Sequence, residues 1–290
     1  MTETSSTHAA HVERVATYYD DMTRLAKFIG WFDQSDMIHF GYWDASVRTH
    51  QESLVAMSDQ LLQGVGFSRG MHVLDAGCGI GGMALKLARQ HGVQVTGVNI
   101  CESQLEQART LAAREGLQDR VSFQNADYNH LPFPDATFDV VTMVESLIYT
   151  PDKAPPLREM CRVLKPGGRL LIADGFLTRD PLDDAAAAEV KRSGECWGGA
   201  VWISKDATDR TLREIGFSEV NIRDVTHHVE KSLKRLLWTC RVLVPLARPF
   251  VEVGIIPRNY FPIGMAGIHQ WEIHRKGYWC YALVQARKAG

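Results

Sequence analysis

The chain has 290 residues, 45% hydrophobic and 23% charged, with a net charge of −2. That composition suits a large globular domain with its own core and excludes the strong basic field that nucleic-acid binding calls for. Six scattered cysteines with no CxxC pair fit reduced thiols and exclude a zinc or disulfide scaffold.

In chain order, residues 1–8 read as a mobile tail without an apolar core, so no secretory signal and a cytoplasmic location are expected. Residues 9–65 read as helical, with a break around "SDMIHFGYWD". "GMHVLDAG" is a short strand running into glycines, "MALKLARQH" a helix, and "VQVTGVNI" a second strand. "CESQLEQARTLAAREG" is a helix closed by Gly116. "VSFQNAD" and "FDVVTMVES" are the third and fourth strands, "PPLREMCRVLKPGG" a helix with a Pro-Gly-Gly stop, and "RLLIADGF" the fifth strand.

A helical segment from about 180 to 215 follows, then a strand "FSEVNIRDV", a long insertion and a last strand "YWCYALVQAR". Within the insertion, "LLWTCRVLVPLARPFVEVGIIP" is interrupted by Arg241, Pro245, Arg248 and Pro249, so no membrane span is expected where roughly 20 unbroken apolar residues are needed. The alternation predicts an α/β fold: a Rossmann-like, seven-stranded, mostly parallel sheet with helices on both faces. The final strand is expected to run antiparallel beside the penultimate one at the sheet edge. The organisation is then 1–65 helical lid, 66–226 core, 227–276 capping insertion and 277–290 final core strand. Ligands in such sheets sit at the carboxyl ends of the strands, near the switch point.

"LDAGCGIGGMAL" holds Gly77, Gly79 and Gly82 in G-x-G-x-x-G spacing. The spacing alone admits a nicotinamide dinucleotide. Against that, Asp75 would repel a pyrophosphate while welcoming an ammonium group, and the ribose position ending the second strand is Asn99 rather than an acid. At these residues the chain resembles the class I S-adenosylmethionine-dependent methyltransferases. "VLDAGCGIGG", "TGVNI", "NADYNHLPFPDATFDVV" and "LKPGGRLLIAD" look like four of their motifs in the right order.

The resemblance implies S-adenosylmethionine as cofactor. Asp75, Gly77, Cys78 and Gly79 would hold its methionine and ribose part, and Asn99 and Gln104 its ribose hydroxyls. Asp127 and Tyr128 would hold the adenine, with Val144 at the strand-four wall. Tyr18, Tyr19 and the Phe40–Asp44 stretch, with Tyr42, resemble the lid of small-molecule members. A dinucleotide oxidoreductase and a non-catalytic binding module are the disfavoured alternatives.

"VESLIYT" places Glu145 at the mouth of a core strand, where a carboxylate faces the donated methyl. It resembles the Glu-Ser-x-x-Tyr stretch of geranyl and farnesyl diphosphate C-methyltransferases, although Val144 stands where a polar Asn is expected. On that resemblance Glu145 is the catalytic residue, with Tyr149 second. The substrate would be a prenyl diphosphate, methylated at an alkene carbon through a carbocation that deprotonates or cyclises. Phe28, Trp31, Trp197, Trp202 and Tyr260 would line its chain. A basic cluster in the insertion, including Arg258 and His269, would meet the head group. Mg²⁺ would arrive bound to the diphosphate, with no protein metal site. A C-, N- or O-methyltransferase of a small aromatic or amine natural product, of tocopherol or small-amine type, stays open beside it, as does a homo-oligomer.

Overall fold

A computed structural model describes residues 3–28 and 36–290 of the chain, with side chains described from His8 to Leu25 and from Asp36 onward. Seven strands form one sheet in the order β3-β2-β1-β4-β5-β7-β6. They are β1 (His72–Ala76), β2 (Gln94–Asn99), β3 (Val121–Asn125), β4 (Phe138–Val144), β5 (Leu164–Leu177), β6 (Phe217–Asp224) and β7 (Trp279–Lys288). The first five pair in parallel, and β7 runs antiparallel between β5 and β6. The central strands are continuous Val, Leu and Ile runs because helices cover both of their faces.

The strand order reverses between β1 and β4. Their carboxyl ends open side by side and bring the glycine loop against the segment that follows β4. At Gly77, φ is +81° and an added Cβ would lie 2.5 Å from the Cβ of Ser146, so a side chain is excluded both by backbone and by space. Ser146 in turn donates to the Ala76 carbonyl at 2.8 Å, tying the two strand ends together.

The core helices are α2 (His50–Leu62), α3 (Gly82–His91), α4 (Glu102–Arg114), α5 (Ala154–Val163), α6 (Asp184–Cys196) and α7 (Lys205–Ile215). Helix α2 opens on a reciprocal capping box between Thr49 and Glu52, which satisfies donors that the first turn leaves unpaired. Helix α1 (Glu3–Phe28) lies N-terminal to the core, and α8 (Thr226–Glu252) and α9 (Tyr260–Arg275) form the insertion, packed on each other.

Two local readings change. Helix α1 begins at Glu3, inside the stretch expected as a tail. The segment "LKPGG" continues β5 instead of ending a helix, with Leu164 paired to Phe138. Pro166 explains this: its ring pushes Lys165 into extended backbone, so α5 stops at Val163.

After β4 the chain makes a 3-10 turn, Leu147–Tyr149. Its carbonyls already accept from the Thr150 and Val201 amides and from His11, and Lys153, only 5% exposed, reaches under the turn to add to these bonds. Its Nζ donates to the carbonyls of Leu147 at 3.0 Å, Ile148 at 3.3 Å and Val201 at 2.7 Å, and also to that of Thr150. Burial lowers the pKa of the amine, while Asp174 opposes that shift. Lys153→Met keeps the length but takes the side-chain donor from the carbonyls of Thr150 and Val201. We expect a loss on the order of 3 kcal/mol of unfolding free energy, since each unsatisfied buried group costs about 1–3 kcal/mol. Urea denaturation of the variant checks this, and an unchanged midpoint would contradict the anchoring role.

Candidate active site

Two cavities lie over the carboxyl ends of the strands. The smaller, about 80 Å³, is lined by the glycine loop, Asn99, Gln104, Asp127 and Tyr128. Gly79 faces it, and a Cβ there would meet nothing within 4 Å, so the loop leaves open room for a ligand. Asn99 Nδ2 donates to Gln104 Oε1 at 2.8 Å, and Asn99 Oδ1 accepts from the Cys101 amide at 3.3 Å, fixing the amide at the end of β2. Asp127 Oδ1 accepts from both nitrogens of Asn129 at 2.8 and 2.7 Å, which holds its carboxyl below the usual range despite partial burial. A carboxylate fixed beside a tyrosine suits an adenine amine and ring.

Helix α1 closes this cavity through polar contacts to its walls. His8 Nε2 lies 2.6 Å from Asp127 Oδ2, and His11 Nε2 donates to the Tyr149 carbonyl at 2.5 Å. Gln104 Nε2 donates to Thr23 Oγ1 at 2.9 Å, and Ser103 donates to Asp20.

The larger cavity, about 240 Å³, lies between the sheet and the insertion. Tyr19, Ile38, Glu145 and Tyr149 line both cavities and form the wall between them. Glu145 adopts φ +49°, a conformation that costs a non-glycine residue free energy and draws attention when it falls in a cleft. Its amide is held by the Ala173 carbonyl at 2.8 Å. Its Oε1 accepts from the Phe40 amide at 2.6 Å and from the Tyr281 hydroxyl at 2.9 Å. Burial pushes the carboxyl up to about 8, and Asp174 adds to this, while the two hydrogen bonds oppose it. Phe40 packs edge-on against Trp197, Trp279 and Tyr281 at 5.9–6.3 Å between ring centres, so the two residues that hold the carboxyl, Phe40 and Tyr281, belong to one aromatic cluster.

The rest of the larger cavity is mainly apolar, with Asp174, His50, Ser232 and Thr239 among its polar wall residues. Leu236, Cys240 and Val244 of α8 roof it, and Gly175, Trp202 and Trp279 lie beneath. Gly175 is there because a Cβ would come within 2.4 Å of the Trp279 indole nitrogen and 2.8 Å of that of Trp202. Among the described residues no Lys or Arg lines it. Four of its wall residues instead carry a buried polar atom with no partner among the described residues: His39 Nε2, Trp197 Nε1, Gln270 Nε2 and Trp279 Nε1. His39 Nδ1 lies 2.9 Å from the Phe40 carbonyl and must donate to it, which leaves Nε2 as an acceptor. Burial lowers the His39 pKa to about 4, so the ring is neutral at ordinary pH.

The expected site residues divide accordingly. Gly77, Gly79, Asn99, Gln104, Asp127, Tyr128 and Val144 line the smaller cavity. Asp75 and Cys78 lie under the loop instead. Asp75 Oδ1 accepts from Thr142 at 2.8 Å and its pKa is raised by burial to about 6, and Cys78 packs against Gly97. Tyr18 lines the larger cavity, not the smaller, as do Trp197, Trp202 and Tyr260. Tyr42 lines neither: it stacks on His228 with ring centres 4.0 Å apart. Arg258 is exposed, and His269 pairs with Glu272 at 3.0 Å; both are off the cavity wall. The Phe28 side chain and Trp31 fall outside the described residues.

Sequence reading missed His39, Asp174, Gln270, Trp279 and Tyr281. The last strand held a signal, because Trp279 and Tyr281 two residues apart share one face of β7. His39 and Gln270 had none, being placed by tertiary packing alone.

A mostly parallel sheet of this order, a glycine loop at its switch point, and a cavity over that loop beside a buried acid define an S-adenosylmethionine-dependent methyltransferase of class I. The chain belongs to the methyltransferase domain family, whose model matches residues 67–216. The methyltransferase GfsG of Streptomyces halstedii is 44% identical over 63% of this chain and 64% of its own, so the match spans just under two thirds of that relative. The 27-O-demethylrifamycin SV methyltransferase of Amycolatopsis mediterranei is 38% identical over 70% of this chain and 72% of its own. Among solved structures, the [4+2]-cyclase SpnF superposes with a TM-score of 0.78 at 25% identity over 95% of both chains. Geranyl diphosphate C-methyltransferase from Streptomyces coelicolor A3(2) shares the fold, with a TM-score of 0.71 at 20% identity over 96% of this chain and 98% of its own.

The buried carboxyl has a pH signature. With a folded-state pKa near 8 against an ordinary 4.5, the folded chain keeps a proton that the unfolded chain gives up. Stability is therefore lost as pH rises from about 4.5 through 8. Glu145→Gln abolishes that contribution. Its melting temperature relative to the wild type should rise by about 2 °C or more between pH 6 and pH 9, at a few degrees per kcal/mol for a chain of this size. A difference that stays flat with pH would show that the carboxyl is not held protonated.

Proposed function

We propose that this methyltransferase moves the methyl group of S-adenosylmethionine to a hydroxyl oxygen of an uncharged, largely apolar, oxygenated natural product. One observation carries the reading: the larger cavity offers no lysine or arginine among the described residues, yet holds unpartnered neutral hydrogen-bonding groups in its wall. Trp197, Trp279 and Gln270 are donors there and suit carbonyl or ether oxygens. His39 Nε2 is an acceptor and suits a hydroxyl. A buried group left unpaired costs about 1–3 kcal/mol, so a ligand that pairs it gains in both affinity and selectivity.

Glu145 is the base in this reading, because among the acids and histidines of the larger cavity it alone also borders the smaller one. Bound in the smaller cavity, S-adenosylmethionine would supply an electrophilic methyl group, with a neutral thioether as the leaving group. The acceptor hydroxyl would pass its proton to the Glu145 carboxylate as its oxygen takes the methyl. Tyr281 and the Phe40 amide hold the carboxyl in place for that transfer. Tyr149 closes the wall beside it.

The prenyl diphosphate reading keeps one supporting observation, the aromatic cluster beside Glu145, which suits a carbocation. Its head group lacks a cationic partner on the described cavity wall. Of the two basic residues expected to meet it, Arg258 is surface-exposed and His269 is paired with Glu272.

Labelled S-adenosylmethionine with geranyl and farnesyl diphosphates beside hydroxylated macrocycles, phenols and amines separates the readings. Label in a methyl ether is expected, with little in either diphosphate; C-methylated diphosphate as the main product would reverse the assignment. With the best acceptor, Glu145→Gln should lower single-turnover transfer by about 10²–10⁴, the usual worth of a positioned base. Cofactor affinity should change little. Gly175→Leu should exclude the acceptor while still binding S-adenosylhomocysteine.

A further inference from the structure

Helix α8 has two working faces. One roofs the acceptor cavity through Leu236, Cys240, Val244 and Ala247. The neighbouring face is exposed and apolar: Trp238 is 63% exposed, Val242 55%, Leu246 64% and Phe250 49%. These four recur at every fourth residue and so form one stripe along the helix. Val253 and Ile255 extend it into the following loop at 72% and 69% exposure. Monomeric soluble proteins rarely leave so continuous an apolar surface uncovered.

The stripe lies in a stretch with an excess of cations. Between residues 230 and 258 the chain carries Lys231, Lys234, Arg235, Arg241, Arg248 and Arg258 against two acids, Glu230 and Glu252, and Lys234 pairs with Glu230 at 3.2 Å. Glu252 is taken up by Arg248 at 2.8 Å. Arg241 lies over the Trp238 ring at 5.9 Å, and Arg258 is exposed nearby. The stripe also joins the acceptor cavity, because Leu243 and Phe261 are both exposed and part of the cavity wall.

We propose that this face of α8 docks on an anionic lipid bilayer and presents the mouth of the acceptor cavity to the membrane. An interfacial helix is recognised by this combination, with aromatic and aliphatic residues on one side and Lys or Arg flanking them. Each cation close to an anionic surface contributes about 1 kcal/mol. No helix of the described chain is long and apolar enough to cross a membrane, so the helix lies on the surface. A second copy of the chain is the other candidate cover. A two-fold contact would set the stripe against itself and bring the same cations face to face, which is unfavourable. The membrane face rests on the apolar acceptor reading only for its purpose; the docking itself is measured without any acceptor.

The test is co-sedimentation of the full chain with vesicles of phosphatidylcholine alone and of phosphatidylcholine with 25% phosphatidylglycerol. Binding to the anionic vesicles is expected to exceed that to the neutral ones by about tenfold or more, and to weaken in 0.5 M salt. Leu246→Asp and Phe250→Asp should each lower anionic-vesicle binding by about tenfold, with melting temperature and S-adenosylhomocysteine affinity unchanged. Emission from Trp238 should shift to the blue on binding, a shift absent in Trp238→Phe. Absence of binding to either vesicle overturns the proposal. So does a chain that sediments as a dimer and becomes a monomer in Leu246→Asp, since a second copy would then own the face.

Discussion

The structure depends on keeping one carboxyl group out of water. Glu145 ends β4 at the switch point, and its neighbours are aromatic rings, a backbone amide and a tyrosine hydroxyl. Burial opposes ionisation, so the group stays protonated until something compensates its charge. Other features serve that placement. The left-handed backbone at Glu145 turns its side chain between the cavities, Lys153 holds the turn behind it, and Gly77 lets Ser146 close against the glycine loop.

The two covers of the site differ in kind. Helix α1 borders the smaller cavity with Val12 and Val15 and with polar contacts to Asp127, Gln104, Ser103 and the Tyr149 carbonyl. Helices α8 and α9 cover the larger cavity mainly with aliphatic side chains and small residues. Trp43 and Tyr42 stitch the segment after α1 to the roof. Their partners are Ser232 at 2.9 Å and His228 at 3.0 Å, so the two covers share an anchor.

The fold was legible because its cues are local. Alternating strand and helix patterns, the glycine loop and the Asn99 strand end all lie within short windows, and the order of the sheet follows from them. The residues expected to hold the cofactor fall along one cavity for the same reason, except where a residue's direction mattered. Asp75 occupies a strand position whose side chain points beneath the loop, and sequence alone does not show that. The acceptor cavity was only partly legible. Its walls come from α1, the 36–50 segment, β5, β7 and the insertion, and only tertiary packing brings them together. The basic residues of the insertion looked like one cluster in sequence. In space they are spread over two helices and largely spent on local acids such as Glu189, Glu230 and Glu272.

The central claim is that Glu145 is protonated in the free site and becomes a carboxylate beside the cofactor's positive charge. A sulfonium next to a buried acid lowers its pKa, whereas S-adenosylhomocysteine is neutral at sulfur and does not. Calorimetric titration in buffers of different ionisation enthalpy measures the protons released on binding. At pH 7.5, S-adenosylmethionine should release up to about one proton and S-adenosylhomocysteine markedly fewer, and the difference should vanish in Glu145→Gln. Equal proton release for the two ligands in the wild type would contradict the account.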